Sequence, residues 1–175
     1  VNRLTGYLKA LGHKVPKYAV AEYLEWLEDA YFLFSVHLFD PSAARRNTNP
    51  KTIYCIDHAL VVSVWSGIRA NRGRLLENLV FTALRRVTPE IHYVKTRRGA
   101  EVDFLARLPK GSRLLVQVCD DLADRATRTR EIRALREAME ELDMPRGIVV
   151  TREHDEQVET GTGQIDVTPA WRFLL

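Results

Sequence analysis

The feature that most constrains this chain is a change of hydrophobic period between residues 74 and 151. "RLLENLVFTALRR", residues 74–86, puts Leu76, Leu79, Val80, Ala83 and Leu84 on one face of an amphipathic helix. Three segments with strand character follow, at residues 91–96, 100–107 and 113–119. Residues 125–142 return to the helical period, with Ile132, Leu135, Met139 and Leu142 on the core face, and Met144-Pro145 ends that helix. "GIVVT", residues 147–151, is a continuous apolar run, as expected of a strand covered on both faces. "TGTGQIDVTP" then supplies a turn and a last short strand, and Pro169 opens a terminal helical turn. The order αβββαβ, with an extra strand and helix, predicts an α/β fold on a mixed sheet.

The first 70 residues are patterned differently. Residues 1–11 fit a short helix with Leu4, Leu8 and Leu11 on one face. Gly12 suits its end, and Pro16 suits the start of a second helix that runs to about Glu28, with Ala19, Tyr23, Leu24 and Leu27 as its apolar stripe. "AYFLFSVHLFD" predicts a strand, "PSAARRNTNP" has the composition of a loop, and "KTIYCID" predicts a second strand antiparallel to the first. Two helices and a hairpin are the order of a winged-helix module. "HALVVSVWSGIRA" predicts a buried connecting helix, and a boundary is expected near Asn71. The expected organisation is a winged-helix-like module over 1–70 and the αβββαβ domain over 71–175. Trp26, Trp65 and Trp171 sit in apolar settings and are expected in the core.

The chain has 175 residues, enough for one core or two small ones. No apolar run approaches the roughly 20 residues of a membrane span, so no membrane partner is expected. Cys55 and Cys119 stand far apart, outside any CxxC pair, and are expected to be free thiols in a reducing cytoplasm. Val1 already falls in a helical pattern, so a longer protein is expected. The charge is uneven. Residues 71–110 carry nine basic and four acidic side chains, a net +5, whereas residues 111–175 carry nine and 13, a net −4. The positive block surrounds "EVDF", residues 101–104, and points to an anionic partner there.

Glu101 and Asp103 are two apart on one strand and are expected to share a face, with Val102 and Phe104 facing the other way. On these residues alone, an ordinary solvated strand face is the favoured reading over a site. The αβββαβ order resembles the restriction-endonuclease-like core. Its nucleases hold Mg²⁺ with an acid on the second strand and another on the third, followed two residues later by a lysine. That resemblance assigns Asp103, Gln117 and Cys119 to those positions, with Glu77 on the preceding helix as a further acid. Asp103 and Glu77 are then the metal ligands, should Mg²⁺ bind. Gln117 can ligate through its amide oxygen but brings no charge, and Cys119 cannot replace a permanently cationic lysine. Lys95 or Arg97 could approach from the side.

From Tyr18 to Leu174 the chain also resembles the C-terminal region of a large prokaryotic family of AAA-type P-loop ATPases. The resembling segments are "YLEWLEDAYFLFSV", "KTIYCIDHAL", "GRLLENLVFTALRR", "IHYVKTRRGAEVDFLA", "LLVQVCDDL" and "IDVTPAWRFLL". This implies an ATPase half followed by a winged helix and a restriction-endonuclease-like domain. Nothing in this sequence fits GxxxxGK[ST], so ATP would belong to the ATPase half, which is also the implied partner. Many relatives show "EVK" where this chain has Gln117, Val118 and Cys119, so the site is expected to be degenerate.

DNA is a further expected partner. Lys17, Arg45, Arg46, Lys95, Arg97 and Arg98 are the candidate phosphate contacts. Glu22, Glu25, Glu28 and Asp29 argue against a recognition role for most of the second helix, because acids there would face phosphates. The arginines and glutamates interleaved over residues 125–140 read as solvated helix pairs. The leading expectation is a non-catalytic recognition region that couples a nucleic-acid or protein partner to the ATPase half. The alternatives are an active divalent-metal nuclease with an altered site, and a purely protein-interacting module.

Overall fold

The computed structural model describes residues 1–64, 72–161 and 163–175. Helices α1 (Asn2–Ala10) and α2 (Lys17–Asp29) come first, and Gly12 between them takes the left-handed φ of +88° that the end of α1 requires. Strand β1 (Leu33–Leu38), helix α3 (Ala43–Thr48), strand β2 (Thr52–Cys55) and helix α4 (His58–Val64) follow. The second half runs α5 (Arg72–Val87), β3 (Ile91–Lys95), β4 (Glu101–Arg107), β5 (Arg113–Val118), α6 (Arg125–Leu142), β6 (Arg146–Thr151), β7 (Glu156–Thr160), β8 (Gly163–Pro169) and α7 (Ala170–Phe173). The expected αβββαβ order is therefore present, in a mixed α/β fold. Trp65 and the expected boundary at Asn71 lie outside the described residues.

The strands form one eight-stranded mixed sheet in the order β2-β1-β3-β4-β5-β6-β8-β7. β1 and β2 are antiparallel, as expected, and β1 also pairs parallel to β3 through His37 opposite His92 and Leu38 opposite Tyr93. The hairpin thus extends the same sheet that carries the αβββαβ core. β4 runs antiparallel to both of its neighbours, β3 and β5, while β6 runs parallel to β5 and β8 parallel to β6. Helix α6 covers one face, where Leu135, Ala138 and Met139 pack on Val102, Leu105, Leu115 and Val149. Helix α5 covers the other, where Val80, Phe81 and Leu84 pack on Tyr54, Phe104, Ala106, Val116 and Val150. Gly147 lets β6 pass under α6: a Cβ there would sit 2.9 Å from Leu135 Cγ. Among the described residues, no helix is long and apolar enough to cross a membrane.

Several local expectations are corrected. "PSAARRNTNP" is not all loop: Ser42 caps α3, its hydroxyl accepting the Arg45 N–H. Residues 156–160 form the edge strand β7, whose mostly polar, exposed side chains carry no hydrophobic alternation to announce it. Trp26 and Trp171 are 58% and 60% exposed rather than core. Trp26 lies on a helix that buries only Val20 fully, and Trp171 on the terminal turn, where Phe173 packs inward instead.

Candidate functional site

The site is set by an irregularity in β4. Val94 pairs with Val102 but His92 pairs with Leu105, so Tyr93 alone faces both Asp103 and Phe104. This β-bulge puts two successive side chains on one face and reverses the alternation beyond them. Val102 and Leu105 enter the α6 layer, whereas Phe104 and Ala106 enter the α5 layer. The expectation that Val102 and Phe104 share a face is thereby corrected. Glu101 and Asp103 do line one cavity, as their spacing suggested.

Strands β4 and β5 also part at this point. Their ladder runs from Arg107 opposite Arg113 to Phe104 opposite Val116 and stops there. Side chains continue it. The Asp103 N–H donates to Gln117 Oε1 at 3.3 Å, and the Val118 N–H donates to Asp103 Oδ2 at 2.8 Å. Gln117 then donates through Nε2 to Glu131 Oε2 of α6 at 2.8 Å. Both Gln117 and Glu131 are buried, and the other oxygen of Glu131 takes Arg130 at 2.6 Å. The amide of Gln117 is thus committed on both sides to holding the fork closed.

The cavity on the α5 side has a volume of about 190 Å³ and is walled by Tyr54, Glu77, Tyr93, Lys95, Glu101 and Asp103, with Asn49, Pro50 and Thr52 at its rim. The hairpin therefore folds over the acids, and the Tyr93 hydroxyl donates to the Pro50 carbonyl at 2.9 Å to hold it there. Tyr54 stacks on Phe81, with ring centroids 4.4 Å apart, and donates its hydroxyl to Glu77 Oε1 at 2.5 Å. The next residue, Asn78, grips β2 from the same helix. It accepts the Cys55 N–H at 2.8 Å and donates to the Cys55 carbonyl at 2.9 Å. The "LLEN" segment is therefore the device that docks the hairpin onto α5.

Burial raises the pKa of Asp103 well above the usual carboxylate range, with the nearby charge of Glu77 adding to it. Burial also raises Glu77, against the lowering effect of the Tyr54 hydrogen bond. The Tyr54 phenol is pushed up by burial and by the Glu77 carboxylate. Glu101 is more exposed and pairs with Lys95 Nζ at 3.2 Å. Among the described residues, no three His, Cys, Asp or Glu side chains group so as to hold a metal ion.

The structure gathers Glu77, Asp103 and Lys95 into one cavity and links Gln117 to Asp103 from the α6 side. Cys119 does not join them. It is buried in the α6 layer, its thiol donates to the Asp121 carbonyl at 3.2 Å, and burial raises its pKa. The candidate phosphate contacts lie on α2, on α3, at the end of β3 and in the turn that follows it. Lys17 opens α2, far in sequence from the others. Arg45 pairs with Asp40 at 3.4 Å, and Arg46 donates to the Asp40 carbonyl at 2.6 Å. Arg97 and Arg98 form the turn against α6, where the Arg97 N–H donates to Glu141 and Arg98 stands 3.8 Å from buried Glu137. Tyr54, Asn78 and Glu131 are the site residues that sequence reasoning missed. Asn78 alone left a signal, as the polar residue closing "LLEN".

The fold and the site define a mixed α/β domain with an αβββαβ core and two half-buried carboxyls lining one cavity, Asp103 at the fork of the central strands and Glu77 on α5. Residues 72–173 match the model of a family described as a domain of unknown function (DUF4143), and the chain belongs to that family. The chain is also 30% identical over 185 residues to the uncharacterized protein MJ1544 of Methanocaldococcus jannaschii. That match covers 100% of this chain but 40% of the relative's length. No solved structure matches the chain.

Proposed function

We propose that this chain is a non-catalytic recognition region of an AAA-type P-loop ATPase, built on a restriction-endonuclease-like core that has lost its cutting chemistry. One observation carries this reading. Gln117, at the position where such a core needs a metal-binding acid, spends its amide on Asp103 N–H and Glu131. Asp103 itself spends an oxygen on Val118 N–H. Those bonds turn the Gln117 amide and one Asp103 oxygen toward the sheet and α6, where a hydrolytic site would present them to a metal. The ATPase link rests on the resembling segments and on a relative that extends well beyond the matched region. In this reading the partner, nucleic acid or protein, is sensed by this region and communicated to the ATPase half in the cytoplasm.

The test uses the full-length protein with plasmid and single-stranded DNA in Mg²⁺ or Mn²⁺. No cleavage above the blank is expected, while the ATPase rate responds to the partner. Metal-dependent cleavage that Asp103→Ala abolishes would overturn the reading. One observation favours that second reading, an active nuclease: Lys95 lines the cavity beside Glu77 and Asp103, where it could act as a displaced base. It requires that Lys95→Ala also abolish cleavage.

A further inference from the structure

The outer face of α6 carries an open concavity of about 630 Å³, walled by Asp124, Arg125, Ala126, Thr129, Arg130 and Arg133. Its one acid is already used: Asp124 caps α6, with Oδ2 accepting the Thr127 N–H at 2.7 Å. Arg130 is held from beneath, its Nε and Nη2 donating to Glu131 Oε1 at 3.0 and 2.6 Å. Glu131 is in turn fixed by Gln117 from the sheet. A second concavity of about 560 Å³ shares Arg130 and Arg133 and adds Arg98, and its acids are Glu131, Glu137 and the Lys95-paired Glu101. Arg98 and Arg133 both lean on buried Glu137, at 3.8 and 3.9 Å, yet their side chains are 71% and 60% exposed.

Buried carboxylates thus orient three guanidinium groups without consuming them. A guanidinium has five N–H donors in a planar fork suited to phosphate oxygens, and Arg130 uses two of them on Glu131. Arg125 and Arg133 are two turns apart, about 12 Å along the axis. That span exceeds a single phosphate group and suits a run of them. The wall of the first concavity offers no apolar side chain larger than Ala126, so a peptide's apolar side chains would meet only Ala126 and arginine stems there.

We propose that this face of α6 binds the phosphate backbone of a nucleic-acid strand, with Arg125 and Arg133 as direct contacts and Arg130 and Arg98 as flanking ones. The proposal rests on the recognition reading above and names its ligand class.

The experiment titrates full-length protein against labelled single-stranded and duplex oligonucleotides at two salt concentrations. Each of Arg125→Ala and Arg133→Ala is expected to weaken binding several-fold and to reduce the salt slope by about one phosphate's share. The double variant is expected to lose more than about tenfold, while Arg133→Lys keeps most of the affinity and circular dichroism stays unchanged. Wild-type affinity and salt slope in the double variant would overturn the proposal and leave the recognition reading standing. No binding of wild-type protein to either oligonucleotide at low salt would also overturn it and point the recognition reading to a protein partner. Polyglutamate binding as tight as the oligonucleotide would overturn the assignment to nucleic acid. Asp103-dependent cleavage would instead sink the recognition reading, whatever the α6 variants do.

Discussion

Placing a carboxylate at position 117 is expected to destabilise this fold. In Gln117→Glu, the donor that reaches Glu131 Oε2 at 2.8 Å is replaced by an acceptor. The lost bond to a charged group is worth about 1.5–3 kcal/mol. Two carboxylate charges about 4 Å apart also repel by about 4 kcal/mol at the effective dielectric of a protein. Protonating one of them limits the total. Holding a proton on a carboxyl whose ordinary pKa is near 4.3 costs about 1 kcal/mol at pH 5 and about 5 kcal/mol at pH 8. A protonated Glu at 117 can still donate to Glu131. The expected destabilisation is therefore about 3–5 kcal/mol at pH 8, falling to about 1 kcal/mol at pH 5. The sign follows because the folded variant holds a proton that the unfolded chain releases, so its stability falls as pH rises. Urea unfolding followed by circular dichroism at the two pH values measures it. A variant as stable as wild type at pH 8, with no added pH dependence, would mean that Gln117 does not bridge Asp103 and Glu131. Recovery of stability by Mg²⁺ alone would mean instead that the position still serves a metal.

Two further changes probe the α5 side. Asp103→Asn keeps an acceptor for Val118 N–H but removes a buried ionisable group. The raised pKa values of Asp103 and Glu77 mean that their stabilisation is full below the ordinary carboxylate range and is lost as pH rises through the folded values. The variant should therefore flatten the stability–pH profile and gain on wild type as pH rises, read from urea midpoints across pH; an unchanged slope would refute the desolvated pair. Asn78→Ala strands both the N–H and the carbonyl of Cys55 and should cost about 2–4 kcal/mol. Hydrogen exchange at the Cys55 amide should accelerate first, and equal protection there would show that the hairpin docks by other means.

Much of the architecture was legible because it rests on local periodicity. The apolar spacing of residues 74–86 and 125–142 gave α5 and α6, and the unbroken "GIVVT" gave a strand buried on both faces, now β6 between β5 and β8. Where side chains pack on no consistent face, the signal faded. Edge strand β7 is mostly polar and exposed, and α3 is a single capped turn and a half inside a polar stretch. The aromatic residues of α2 misled, since an apolar stripe on a helix does not say what covers it: Tyr18, Tyr23 and Trp26 are all exposed. Of the candidate site, Glu77 and Asp103 were found from spacing and resemblance, and the structure puts them in one cavity.

By itself, the sequence determined the αβββαβ order and the two-residue spacing of Glu101 and Asp103 on one strand, because these follow from residue identity and local period. Only the tertiary structure decided what the site residues do. The bulge that turns Phe104 toward α5 depends on how β4 pairs with β3. The roles of Gln117, Glu131 and Arg130 depend on α6 lying across β5, and that of Tyr54 on the hairpin closing over α5. Each is a contact between segments distant in the chain, and no local pattern records the partner.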